Sequence, residues 1–148
     1  MSYTSLMYHI VFSTKGRMPI IPQEVLPRIC EYMGGIIRKT GGQMLTANGT
    51  ADHIHIAAIG RPDVAVTKFI QLIKGNSSKW LHETFPELKA LYWQEGYGAF
   101  TVSPSGLPKL LAYIRAQAEH HQKVDFKEEF LALLRKHGVR YDERYIWR

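Results

Sequence analysis

Ala51-Asp52-His53-Ile54-His55-Ile56-Ala57-Ala58-Ile59-Gly60 is the stretch on which the reading of this chain turns. A short apolar run rich in isoleucine and closed by a glycine predicts a β-strand, and side chains on a strand alternate between its faces. His53 and His55 therefore share one face, while Ile54 and Ile56 share the other. Two imidazoles held side by side on a rigid strand are two thirds of a small metal site. A bare His-x-His is more often structural than metal-binding, so the chemistry needs support from elsewhere in the chain.

On the N-terminal side, Gln43 to Asn48 reads as a partner strand, with the turn at Asn48-Gly49 closing a hairpin onto Asp52 to Ile59. Before it, Leu6 to Thr14 mixes β-branched and aromatic residues as a first strand and ends in the basic loop Lys15-Gly16-Arg17. Pro22 suits the first turn of a helix carrying Val25, Ile29, Met33, Ile36 and Ile37 at helical spacing and stopping at Gly41-Gly42. Pro27 and Gly34-Gly35 predict irregularity within it. On the C-terminal side, Asp63 is placed as the N-cap of a second helix with the stripe Val66, Phe69, Ile70 and Ile73, which Gly75-Asn76 is expected to interrupt. Tyr97 to Ser103 follows as a fourth strand. Ser103-Pro104-Ser105-Gly106 opens a third helix to about His121, and a last amphipathic helix near Phe126 to Lys136 precedes the aromatic and basic tail Tyr141 to Arg148. The order β-α-β-β-α-β with two further helices predicts an α+β class: a ferredoxin-like (split β-α-β) antiparallel sheet with helices on one face, extended by C-terminal helices. Repeats and linkers are absent, so residues 1–148 are expected to form a single domain.

A formal charge of +6 and a pI near 9.5 favour an acidic polymer as partner. The one cysteine, Cys30, lies in the first helix as a small core residue, so a disulfide framework is excluded and a reducing compartment is expected. No stretch approaches the roughly 18 apolar residues of a membrane span, and the N-terminus lacks a signal-peptide pattern. A soluble, cytoplasmic protein is the expectation.

The third helix carries the support that the histidines need. Tyr113, Gln117 and His120 stand at i, i+4 and i+7, one polar stripe from which Leu111, Ile114 and Ala118 point away. Gln117 can complete the ligand set of His53 and His55, and Tyr113 can attack a metal-polarised phosphodiester. Taken singly these residues say little: the chain has eight tyrosines, and a helical tyrosine usually packs its ring. His120 and His121 read most simply as solvated residues near a helix C-terminus.

Together the residues resemble the single-tyrosine HUH transposases of small bacterial and archaeal insertion sequences. Asp52-His53-Ile54-His55-Ile56 is similar to that family's metal strand, and Tyr113-Ile114-Arg115-Ala116-Gln117 to its tyrosine helix. Tyr8-His9-Ile10-Val11-Phe12 resembles the opening strand. Lys68-Phe69-Ile70, Lys74-Gly75-Asn76-Ser77-Ser78, Phe126-Lys127-Glu128-Glu129-Phe130 and Tyr145-Ile146-Trp147 extend the likeness over nearly the whole chain. The resemblance implies cleavage and joining of single-stranded DNA at element ends, recognition of a DNA hairpin near each end, and a 5′-phosphotyrosine intermediate on Tyr113. It implies a divalent ion, Mg²⁺ or Mn²⁺, on His53, His55 and Gln117. It also implies a homodimer with composite sites, for which Ser103 to Gly106 is a candidate hinge; no nucleotide cofactor is expected.

Lys15, Arg17, Lys68, Lys74, Lys79 and Arg115 are the candidate DNA contacts, with Tyr97 and Phe100 as candidate stacking partners for unpaired bases. Trp80 and Trp93 read as packing residues. Two other classes compete: a non-catalytic nucleic-acid-binding module of the same fold, a domesticated transposase included, and an HUH replication initiator or relaxase. The first needs aromatics where His53 and His55 stand, and a chain this short without a helicase-like segment argues against the second.

Overall fold

In the computed structural model, which describes residues 1–148, four short strands build one antiparallel sheet in the order β2-β3-β1-β4. The strands are β1 (Met7–Ser13), β2 (Gln43–Gly49), β3 (His53–Ile59) and β4 (Gly98–Thr101). The helices are α1 (Leu26–Lys39), α2 (Val66–Thr84), α3 (Leu107–Arg115), α4 (Gln117–His120) and α5 (Phe126–Lys136). This is the split β-α-β arrangement expected from the sequence, with β1 and β3 as the central pair.

Strand pleating divides the sheet chemically. Ile10, Phe12, Ile54, Ile56 and Ala58 pack with Ile29, Met33, Phe69, Ile70 and Ile73 of α1 and α2 in the main core. Each fully buried isoleucine there contributes about 1.5–3 kcal/mol of transfer free energy. On the other face Val11 and Phe100 pack with Phe126, Phe130 and Leu134 of α5 in a smaller core. His9, His53 and His55 belong to that second face and are buried. Register places Val11 opposite His55 and Asn48 opposite His55 on the other side.

Several local expectations are corrected. The hairpin turn is not at Asn48-Gly49: β2 runs through Gly49 and the chain reverses over residues 50–52. A Cβ on Gly49 would collide with the His53 carbonyl oxygen, so this glycine serves a close approach of the two strands. Asp63 does not cap α2. Ala65 occupies the cap position, and Asp63 instead accepts two bonds from the Arg61 guanidinium, at 2.8 and 2.9 Å. Gly75-Asn76 leaves α2 unbroken over 19 residues because the tertiary packing of Ile73, Ser77 and Leu81 outweighs local propensity. The third helix is not continuous to His121: Ala116, at φ −95° and ψ 19°, separates α3 from α4. At the start of α5, Asp125 accepts from the Glu128 amide at 2.9 Å.

Candidate active site

β3 delivers His53 and His55 to the second face, and each imidazole is held from behind. Asp52 Oδ1 lies 2.6 Å from His53 Nδ1, with the Thr50 hydroxyl donating to the same carboxylate at 3.0 Å. His9 Nε2 lies 2.7 Å from His55 Nδ1, reaching across from the neighbouring strand β1. Both Nε2 atoms therefore turn toward the space beneath α3 and α4. Gln117 meets them there: its Oε1 is 3.0 Å from His53 Nε2, and its Nε2 donates to Glu129 at 3.1 Å.

Glu129 of α5 is the junction of the site. Its Oε1 lies 2.8 Å from His55 Nε2, 2.9 Å from His121 Nε2 and 3.4 Å from His53 Nε2. Its Oε2 accepts from the Tyr113 hydroxyl and lies 3.4 Å from His120 Nε2. Ligand atoms of His53, His55, His121 and Glu129 all fall within 4.8 Å of one another, so this group could hold a metal ion. The donor chemistry fits a divalent ion: imidazole nitrogens whose far sides are tied down, a carboxylate and a carboxamide oxygen. With Glu129 accepting at His55 Nε2, His9 donates to His55 Nδ1; ligation through Nε2 takes the opposite tautomer, in which His9 accepts.

Electrostatics follow from this burial and pairing. Burial alone would lower the His53 pKa, but hydrogen bonds with the Asp52 and Glu129 carboxylates outweigh it and raise the value to about 9. His55 goes the other way, to about 4, because burial dominates its contact with Glu129. His9 falls to about 3 through burial and the neighbouring His55. Burial opposes the charge on Glu129, yet hydrogen bonds from His121, His53 and His55 hold its carboxyl well below the usual range. Burial and then the Glu129 carboxylate raise the Tyr113 phenol, which stays protonated.

The structure brings together four of the residues singled out from sequence, His53, His55, Tyr113 and Gln117. It corrects the reading of His120 and His121 as solvated: the His121 side chain is only 10 % exposed and bonded to Glu129, because the break at Ala116 turns this segment inward. Asn48 holds that break, its amide donating to the Ile114 and Arg115 carbonyls at 3.1 Å each.

The six candidate DNA contacts sit on separate elements. Lys15, Lys68, Lys79 and Arg115 are exposed. Arg17 lies against Trp147, bonded to its carbonyl at 3.0 Å. Lys74 is corrected: it donates to the carbonyls of Gln94, Glu95 and Gly96 at 2.5, 3.1 and 3.0 Å, which uses all three of its hydrogens to tie down a loop. Of the candidate stacking residues, Phe100 is buried against His137, and Tyr97 hydrogen-bonds Thr67.

Residues 2–117 match the family described as IS200-like transposase. The chain belongs to the IS200-like transposase family. Its relatives include the transposase for insertion sequence element IS200 of Salmonella typhimurium, 33 % identical over 124 residues that cover 76 % of each chain. The ISDra2 transposase TnpA of Deinococcus radiodurans is 26 % identical over 117 residues, 76 % of this chain and 84 % of that one. Among solved structures, a protein assigned as a transposase from Deinococcus radiodurans R1 shares the fold at TM-score 0.66 and 24 % identity, over 78 % of this chain and 93 % of the other. A REP-associated tyrosine transposase bound to a REP hairpin shares it at TM-score 0.59 and 14 % identity, over 84 % and 73 %. Transposase chemistry is DNA cleavage and strand transfer. In this IS200-like transposase the Glu129 and His121 side chains reach the site from beyond the matched residues 2–117. No helix of the molecule is long and apolar enough to cross a membrane.

Proposed function

We propose that this transposase cleaves and rejoins single-stranded DNA at insertion-sequence ends through a 5′-phosphotyrosine on Tyr113, using a divalent ion, Mg²⁺ or Mn²⁺, held by His53, His55 and Gln117. The observation that carries the reading is the convergence of these four side chains on one buried carboxylate, Glu129. Family membership supports the reaction class, and the solved relative bound to a hairpin supports hairpin DNA as the partner.

A bound divalent ion would polarise an oxygen of the scissile phosphate and offset its developing charge. The remaining work falls to the chain's own residues. The Tyr113 oxygen forms a bond to phosphorus as the bond from phosphorus to the departing 3′ oxygen breaks, and that oxygen takes up the proton that the phenol gives through Glu129 and water, leaving a phosphotyrosine and a free 3′-hydroxyl. The phenolic proton has its acceptor in place at Glu129 Oε2. Joining is the reverse: a 3′-hydroxyl attacks the phosphotyrosine, and the phenol takes its proton back, so the energy of the phosphodiester is conserved. Asp52 and His9 keep the two imidazoles aimed, and Asn48 keeps the tyrosine helix over them. Tyr113 reaches the histidines of its own chain, an arrangement that a homodimer with composite sites would exchange between subunits.

The test uses single-stranded DNA from both flanks of the gene, incubated with protein and Mn²⁺ or Mg²⁺ and resolved on a denaturing gel. A metal-dependent covalent adduct, absent in Tyr113→Phe, is the expected result. Adduct formation that survives Tyr113→Phe, His53→Ala and His55→Ala would overturn the assignment. Tight hairpin binding with no adduct would move the reading to a domesticated DNA-binding protein.

A further inference from the structure

The face of the molecule opposite Tyr113 carries a basic groove that the chemistry above does not use. It lies along the outer side of α1 where that helix meets α2, has a volume of about 540 Å³, and is lined by Arg28, Tyr32, Gly35, Arg38, Lys39 and Trp80. Residues 28, 32, 35 and 39 recur at helical spacing, a stripe about 16 Å long on one side of α1. The Tyr32 ring stacks on Trp80 with centroids 4.5 Å apart and planes 11° from parallel. Trp80 also packs edge-on against Phe85, and the Arg28 guanidinium sits 4.8 Å from the Phe85 ring centre. The tyrosine is thus a braced platform that remains 36 % exposed.

Two observations point to a ligand rather than a solvated helix face. First, Arg28, Arg38 and Lys39 take part in none of the molecule's ion pairs, although Glu31 shares the groove. Three cations against one carboxylate leave the concave, aromatic surface net positive. Second, Gly35 has no packing reason to be glycine. Its neighbour Gly34 does, since a Cβ there would come within 2.8 Å of Met44 Cε. A Cβ on Gly35 would meet only the tip of Arg38 at 3.8 Å, yet glycine in a helix interior weakens the helix. What Gly35 achieves is a floor without side chains between the cations and the platform.

We propose that this groove is a second DNA-binding site, which takes a single-stranded segment with its phosphates on Arg28, Arg38 and Lys39 and a base against Tyr32. The inference rests on the proposed function only for the identity of the polymer. Cations spaced along a groove together with an aromatic platform suit a single strand, whose backbone follows the charges while an unpaired base stacks on the ring. The main sheet core separates the groove from Tyr113, so DNA held here anchors the molecule without occupying the site of cleavage.

The experiment is fluorescence anisotropy with a labelled oligothymidine single strand over a series of salt concentrations, on wild type, Gly35→Glu and the double variant Arg38→Gln/Lys39→Gln, with melting curves for each. Glutamate is a better helix former than glycine at an open position, so Gly35→Glu should melt no lower than wild type. It should weaken binding at least tenfold. The double variant should reduce the slope of log affinity against log salt by about 1.4, the value for removing two phosphate-neutralising cations from a single-strand complex. Wild-type affinity and slope in both variants would overturn the proposal and leave the groove to a protein partner, as would a wild type that does not bind the strand. Tyr113 adduct formation is scored separately: binding that depends on the groove without any adduct would sink the proposed chemistry and leave this site standing.

Discussion

Replacing Asp52 by asparagine should weaken divalent-ion binding without unfolding the protein. The Asp52 carboxylate lies 2.6 Å from His53 Nδ1 and, as a pure acceptor, fixes the hydrogen on that nitrogen. The lone pair of Nε2 is then left for ligation. Asparagine is isosteric but can present its N–H to Nδ1, which moves the ring hydrogen to Nε2, the atom proposed to bind the ion. A charge-assisted hydrogen bond is worth about 1.5–3 kcal/mol. The Asp52 side chain is 29 % exposed, so screening places the loss in the lower part of that range, about 1.5–2 kcal/mol. At about 1.4 kcal/mol per decade this is roughly a 12- to 27-fold loss of affinity, within the 10- to 100-fold typical of groups that orient metal-bound histidines. Titration calorimetry with Mn²⁺ on wild type, Asp52→Asn and Asp52→Ala measures it, with circular dichroism to verify the fold. Dissociation constants within twofold of wild type in both variants would refute the orientation argument.

Chelator-treated protein should be most stable near pH 6.5–7, with calorimetric Tm falling on either side. On the alkaline side His53 keeps a proton in the folded state up to about pH 9 that the unfolded chain releases near 6.5, so its contribution is full below 6.5 and lost through 9. On the acid side His55 and His9, held neutral down to about 4 and 3, refuse protons that the unfolded chain accepts below 6.5, and stability falls as pH drops. A Tm that rises steadily from pH 6.5 to 9 would contradict the first assignment. Asn48→Ala removes the donor to two helix-end carbonyls, about 1–2 kcal/mol of local stability, and should speed amide exchange over residues 113–117 and slow adduct formation about tenfold. Unchanged exchange there would remove Asn48 from the account. Ile54→Ala, at a fully buried position, should cost about 2–5 kcal/mol in urea unfolding while leaving His53 and His55 on their face.

The sheet was legible because its signals are local: β-branched and aromatic residues in β1, the alternation of His53 and His55 with Ile54 and Ile56 in β3, and helical stripes in α1 and α2, which tertiary packing then reinforced. His53, His55, Tyr113 and Gln117 were legible because strand alternation and the i to i+4 spacing place each pair on one side without knowledge of the fold. Glu129 was not, since a glutamate in an amphipathic helix resembles a solvated charge, and only the return of α5 across the second face buries it. His9 was hidden for a similar reason, because its contact with His55 depends on the register between β1 and β3. The break at Ala116 has no proline or glycine to announce it; Asn48, from another strand, stabilises it. Asp63 failed as a cap because Arg61, two residues away, competes for its carboxylate.

β3 commits the fates of stability and chemistry to a single reading frame of side chains. A slip or insertion of one residue in His53–Ile59 would send the isoleucines that anchor α1 and α2 to the polar, histidine-lined face and bury imidazoles among the hydrocarbons of the main core. Such a lesion yields an unfolded chain rather than a folded, inert one. Copies of a mobile gene that decay by small in-frame insertions or deletions in this strand should therefore vanish as protein altogether, whereas inactive copies that persist as folded protein should carry point substitutions at the imidazoles, the tyrosine or the glutamate.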